Sequence, residues 1–232
     1  MRRFARIAGA VMIAAGVLTL AWAFTVWRWQ DPFTALYTHW QQGRLADQYE
    51  HLLADWTPRK SAAPDFAAER HAVAHDAAGF RRRARRGEAI GRIIVGRLGL
   101  RMILVNGTDH DSLEKGPGRD LRTYMPGQNR LVYIAGHRTT YLAPFSHLDE
   151  LQAGDFIRLE MPYATFVYRA TGHRVVVSND LSVLRSPQHE LLRLQACHPR
   201  FLASHRLIVD ARLVRVQPRG GAPYQLAAAR TP

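Results

Sequence analysis

The chain has 232 residues, with 32 Lys or Arg against 19 Asp or Glu, a net charge of +13 with histidine neutral that points to an anionic partner without saying which. A hydrophobic fraction of 47% and a charged fraction of 22% describe a folding chain rather than a disordered one, and 17 glycines and 12 prolines are too few for a fibrous or low-complexity protein. A single cysteine excludes an internal disulfide framework and a zinc site built on two or four cysteines.

The N-terminus comes first and decides the compartment. Arg2, Arg3 and Arg6 precede residues 7–27, which carry no charged side chain. As a helix this run spans roughly 31 Å at 1.5 Å per residue, enough for a hydrocarbon core of about 30 Å. Trp22, Trp27 and Trp29 cluster at its far end, where an aromatic belt sits, and the basic flank predicts a cytoplasmic N-terminus with the rest outside. The rival is a cleaved signal peptide, with Ala21-Trp22-Ala23 as the cleavage triplet. The uncleaved anchor is the preferred reading because the apolar run continues through Phe24, Val26 and Trp27. Residues 1–30 are therefore expected to be a cytoplasmic stub and single-pass anchor, touching membrane lipids through residues 7–27.

Residues 31–87 read as a helical stalk or N-terminal appendage. Asp31-Pro32 gives an N-cap with Pro at the first helical position. Phe33, Leu36, Trp40, Leu45, Tyr49, Leu52 and Leu53 then recur at helical spacing. Residues 57–64 are a loop by their breakers, and Asp65 caps a second, Ala-rich helix that ends in the arginine run of residues 81–86. That run reads as a solvated helix end whose cations complement the dipole, or as a contact for anionic headgroups or wall polymers. It lacks interleaved aromatics, so no nucleic-acid partner is expected.

From residue 88 the texture changes. Short β-like runs at residues 91–95, 100–105, 131–135, 156–160, 165–170, 174–177, 191–196 and 207–216 alternate with turn clusters such as Asn106-Gly107, Gly116-Pro117-Gly118 and Thr171-Gly172. Many short strands with regular turns predict a sandwich or barrel over residues 88–217, and residues 218–232 read as a flexible tail. Asp109-His110-Asp111 with Glu114 hints at an oxygen-rich cation site but lacks the glycine of a calcium loop. His198 and His205 lack a third ligand, so no metal and no cofactor are expected.

Three residues stand at strand ends: His137 after the run 131–135, Cys197 ending 191–196, and Arg206 opening the last run. If the last two runs pair as a hairpin, thiol and guanidinium face each other across its mouth. Such a trio supports nucleophilic acyl transfer. The thiolate attacks, the imidazole moves protons to and from amines, and the guanidinium binds a carbonyl or developing oxyanion. Ordinary values of about 8.5 for a thiol and about 6.5 for an imidazole leave only a minority of such a pair in the reactive ionic form, which predicts a slow enzyme. Each residue alone also fits an inert reading: a buried cysteine, a turn histidine, or an arginine paired with Asp155 or Asp210.

Residues 133–141 (Tyr-Ile-Ala-Gly-His-Arg-Thr-Thr-Tyr), 193–201 (Arg-Leu-Gln-Ala-Cys-His-Pro-Arg-Phe) and 204–209 (Ser-His-Arg-Leu-Ile-Val) resemble, in order, the His, Cys and Arg segments of sortases. The likeness covers roughly residues 88–217. It implies a mostly β fold: an eight-stranded sortase-type β-barrel preceded by a transmembrane helix and a helical N-terminal extension. It also implies an exported cysteine transpeptidase of the kind found mostly in Gram-positive bacteria. Such an enzyme cuts an LPxTG or LAxTG sorting signal of an exported protein between Thr and Gly. It holds the Thr as a thioester and passes it to an amine of a peptidoglycan precursor or a pilin.

The motif strings are most similar to class E, the type of high-GC actinobacteria, with class D close. By this resemblance His137, Cys197 and Arg206 are catalytic, and Thr139, Thr140, Tyr141 and Ala196 contact substrate. The Tyr matching Tyr141 goes with a preference for LAxTG, and Ala196 stands where the family usually has Thr. The alternatives are a thiol hydrolase with water as acceptor, and a non-catalytic anchored barrel that binds the cell wall.

Overall fold

A computed structural model describes residues 2–29, 32–57 and 65–226. Three helices lead: α1 (Arg2–Trp29), α2 (Pro32–Ala54) and α3 (Phe66–Arg83). The expected N-cap at Asp31 and the loop at residues 58–64 lie outside the described residues. Among the described residues nine strands follow, with one short α-helix, α4 (His110–Leu113), and three 3-10 turns between them. The strands are β1 (Ala89–Val95), β2 (Leu100–Asn106), β3 (Gly118–Arg119), β4 (Leu131–Ala135), β5 (Phe156–Glu160), β6 (Ala164–Val177), β7 (Leu191–His198), β8 (His205–Pro218) and β9 (Tyr224–Gln225). The sheet runs β6-β5-β1-β2-β3-β4-β7-β8, and β6 also pairs with β8. Eight strands thus close into the expected barrel, which leaves no open edge between first and last.

The alternation of side chains along each strand fills the barrel. Ile93, Leu159, Phe166, Tyr168, Leu192 and Leu194 are fully buried in its core, and each such side chain contributes roughly 1.5–3 kcal/mol relative to exposure. Thr171-Gly172 reads as a turn in the sequence, yet β6 passes straight through it. The reason is a register shift against β8 between Ala170 and Gly172, where Gly172 takes φ +154°. A bulge in a long strand uses the same residue types as a turn.

The sequence left open whether the N-terminal helices stand off as a stalk or fold back, and they fold back. Leu45 and Tyr49 of α2 pack on Ala89, Ile103 and Val105. The Tyr49 hydroxyl donates to the Glu160 carbonyl at 3.0 Å, and Gln42 bonds both the amide of Ile103 and the carbonyl of Lys115 at 2.7 Å. On α3, Asp65 caps as expected, accepting from the Ala68 amide at 2.7 Å. Val73, Ala77 and Phe80 of α3 enter the main core, where the Phe80 ring lies 5.9 Å from both Trp56 and Tyr163.

The arginine run is partly tied down. The Arg81 guanidinium lies 4.5 Å from the centre of the Tyr124 ring, and Arg86 pairs with Asp109 at 3.7 Å. The tail needs a correction. Tyr224–Gln225 adds a strand to β8, and the Tyr224 ring meets Phe66 edge-on at 5.3 Å. An aromatic residue that finds a partner on α3 orders a stretch whose Gly and Pro content reads as irregular; residues 227–232 lie outside the described residues.

Candidate active site

The register of β7 against β8 pairs Cys197 with Arg206 directly, as the sequence predicts for a hairpin. Next to them Ala196 pairs with Leu207, and both are buried in the barrel core. Because strand side chains alternate, this packing turns Cys197 and Arg206 to the opposite face, at the loop end of the hairpin, one pair before the connection at residues 199–204. Arg206 forms no ion pair among the described residues. Its Nη1 donates to the carbonyls of Ala203 (2.7 Å) and His205 (2.9 Å), which leaves Nε and Nη2 to reach a substrate oxygen. The carboxylates weighed as its partners are taken elsewhere: Asp210 by Arg193 and Arg174, Asp155 by Arg97.

His137 follows β4, which runs parallel to β7. The Gly136 amide donates to the Gln195 carbonyl at 3.1 Å, two residues before Cys197. A Cβ on Gly136 would stand 2.7 Å from the Phe145 ring, so glycine is what lets that ring pack against the backbone here. The Phe145 amide closes the loop by donating to the His137 carbonyl at 3.0 Å. Nε2 of His137 is buried without a hydrogen-bond partner among the described residues, and the Tyr141 ring lies 5.0 Å away. Burial holds the imidazole below its usual pKa, the charge of His110 adds to this, and Glu114 opposes it.

Arg138 ties the histidine loop to the cysteine strand, and the sequence reading gave it no role. It is 5% exposed. Its Nη1 donates to the Cys197 carbonyl at 3.3 Å and lies 2.9 Å from Nδ1 of His198, while Nη2 pairs with Asp149 at 2.8 Å. Nothing in a single sequence separates such an arginine from a surface one.

Tyr141 is likewise held from several sides. Its hydroxyl donates to Glu114 at 2.6 Å, and the same carboxylate oxygen lies 3.0 Å from Nε2 of His110. Its amide donates to Oγ1 of Thr34 on α2 at 3.2 Å. Tyr141, Leu142 and Ala143 have φ of 53°, 60° and 38°, a left-handed run that side-chain-bearing residues seldom adopt. Thr139 and Thr140 lie half-buried on this loop. The Ala196 side chain is fully buried in the barrel core. The Asp109 carboxylate is occupied as the cap of α4, accepting from the amide and hydroxyl of Ser112.

The fold and this rim define a class: a closed β-barrel with a lone thiol paired with a guanidinium at the loop end of a hairpin, and a histidine loop pinned alongside. A family model described as Sortase domain matches residues 93–214, over half of the chain. Sortase D of Bacillus subtilis (strain 168) is 35% identical over 115 residues, covering 49% of this chain and 56% of the relative, so the chain spans little more than half of that protein's length. Sortase E from Streptomyces avermitilis is a structural neighbour with TM-score 0.52 and 32% identity, covering 58% of this chain and 93% of the other. A Clostridium perfringens Sortase D5 transpeptidase shares the fold more fully, with TM-score 0.61 over 75% of this chain and 98% of the other at 22% identity. The chain belongs to the sortase family, with relatives in both class D and class E.

Proposed function

We infer that this chain is a membrane-anchored cysteine transpeptidase with its barrel outside the cell. Family membership supports transpeptidation in general. The α1 segment Arg2–Thr25 is long and apolar enough to cross a membrane, and the arginines before it favour a cytoplasmic N-terminus. The Cys197 thiolate attacks the Thr carbonyl of an LPxTG- or LAxTG-type signal, forming the C–S bond. Arg206 holds the oxyanion through Nε and Nη2. The C–N bond to Gly breaks as His137 imidazolium gives its proton to the leaving amine. An incoming amine attacks the thioester, passes a proton to His137, and releases the thiolate. Tyr141, beside His137, supports the LAxTG preference. The acceptor is an amine of the cell-wall precursor or a pilin.

The observation that carries this reading is the direct pairing of Cys197 with Arg206 at the loop end of the β7–β8 hairpin. Its test is incubation with LAxTG and LPxTG peptides plus an added amine, with mass spectrometry of the protein and product. The expected result is an acyl adduct on Cys197 and an amide product. Free acid as the sole product would make the protein a hydrolase. No adduct on folded protein would leave a binding barrel. Arg206→Ala is expected to lower turnover on the order of 10²–10³-fold, as for loss of an oxyanion donor. Wild-type turnover in that variant would remove the role.

A further inference from the structure

The first half of α2 carries two faces. Thr38, Leu45 and Tyr49 are buried against the barrel side. The other face, at the i, i+3, i+4, i+7 spacing of one helix stripe, exposes Phe33 (72%), Leu36 (70%), Tyr37 (39%) and Trp40 (56%). Arg44, the next residue on that stripe, lies with its guanidinium 5.0 Å from the Trp40 ring centre. Further along, the stripe turns polar at Asp47 and His51. The apolar part is thus confined to the turns nearest α1, and the Phe33 ring lies 5.5 Å from Trp22 of α1.

We propose that this stripe of α2 lies in the headgroup–acyl boundary of the bilayer that α1 spans. The proposal rests on the reading of α1 as a membrane anchor. Three observations choose lipid over another occupant. The stripe is continuous with the apolar surface of α1 through the Trp22–Phe33 contact. Its composition is aromatic and aliphatic with a cation at its far side, which suits a membrane interface carrying anionic headgroups. Its apolar character ends within three turns, as a helix leaving the interface requires.

The opposite face of the same helix holds the site. Thr34 accepts from the Tyr141 amide, and the Thr38 hydroxyl donates to the Glu114 carbonyl at 2.7 Å. Seating α2 in the interface therefore fixes the height and tilt of the candidate cleft above the membrane.

The test uses the full chain with Cys197→Ala as a thiol-free background, reconstituted in phosphatidylcholine–phosphatidylglycerol vesicles. Single nitroxide labels go on Leu18→Cys, Leu36→Cys and Asp47→Cys, all exposed positions, and accessibility to oxygen and to a water-soluble nickel chelate is read by power saturation. The expected result is a Leu18 label in the hydrocarbon, a Leu36 label several-fold more shielded from nickel than the Asp47 label, and an Asp47 label in water. A Leu36 label as accessible as the Asp47 label, with the Leu18 label still in hydrocarbon, overturns the seating of α2 and leaves the anchor standing. A Leu18 label in water overturns both. Dipolar broadening of the Leu36 label between copies would show a protein–protein contact on this face and overturn the lipid assignment.

Discussion

The His137 imidazole stands under opposing electrostatic influences, and they are separable. Burial is the main cause of its lowered pKa; His110 pushes the same way and Glu114 the other. Removing a positive neighbour raises an imidazole pKa, and removing a negative one lowers it. His110→Gln should therefore move the His137 titration up. Glu114→Gln should move it further down while keeping an acceptor for the Tyr141 hydroxyl. Imidazolium is the form that protonates a leaving amine, so Glu114→Gln should slow turnover several-fold near neutral pH and His110→Gln should not. NMR titration of the imidazole in each variant checks the signs. Identical titration curves would mean that neither neighbour reaches the ring.

At the scale of elements, two buried groups join segments far apart in sequence. Arg138 links the loop after β4 to the end of β7. Arg138→Met should lower kcat about 10- to 100-fold with little change in KM, because loosened geometry costs rate before binding. Arg138→Lys should recover only part, since an ammonium cannot span Asp149 and the Cys197 carbonyl as a planar fork does. Steady-state kinetics on both variants decides.

Glu190 stands just before β7 at the other end of that strand. Its Oε1 accepts from the Gly127 amide (2.7 Å) and the Tyr168 hydroxyl (2.8 Å), its Oε2 from the Asn129 amide (2.8 Å). Burial raises its pKa from 4.5 to about 7 against those bonds. The folded state then binds more protons than the unfolded one between these values, so this group's contribution falls as pH rises through the window and levels off above it. Glu190→Gln should flatten that part of the stability–pH curve. It should also cost about 1–3 kcal/mol, because its amide NH₂ faces the Asn129 donor. Urea midpoints of both proteins from pH 5 to 8 measure it.

At the scale of the whole molecule, what the sequence makes legible is what local pattern encodes. Hairpin pairing puts Cys197 opposite Arg206 because two runs end and begin at those residues, and the Asp65 cap is visible as a residue type at a helix start. What stays hidden depends on partners far along the chain. Arg138 acquires its role only when Asp149, His198 and the Cys197 carbonyl converge on it, and Ala196 is turned inward by core packing. The docking of α2 and α3 is of the same kind, since their apolar stripes read equally well as stalk or as core.

That docking makes a further expectation. The barrel's own strands do not complete its core: α3 contributes Val73, Ala77 and Phe80, and α2 covers Ile103 and Val105 with Leu45 and Tyr49. Truncation to residues 31–232 removes only the exposed α1 and should leave a fragment that melts in one cooperative transition. Truncation to residues 88–232 uncovers both patches. At roughly 1.5–3 kcal/mol for each large side chain whose burial is lost, the deficit rivals the ~5–15 kcal/mol that holds a typical domain folded. The shorter fragment should aggregate or melt far below the longer one. Equal melting of the two by calorimetry would show that the helices are attachments rather than part of the folded unit.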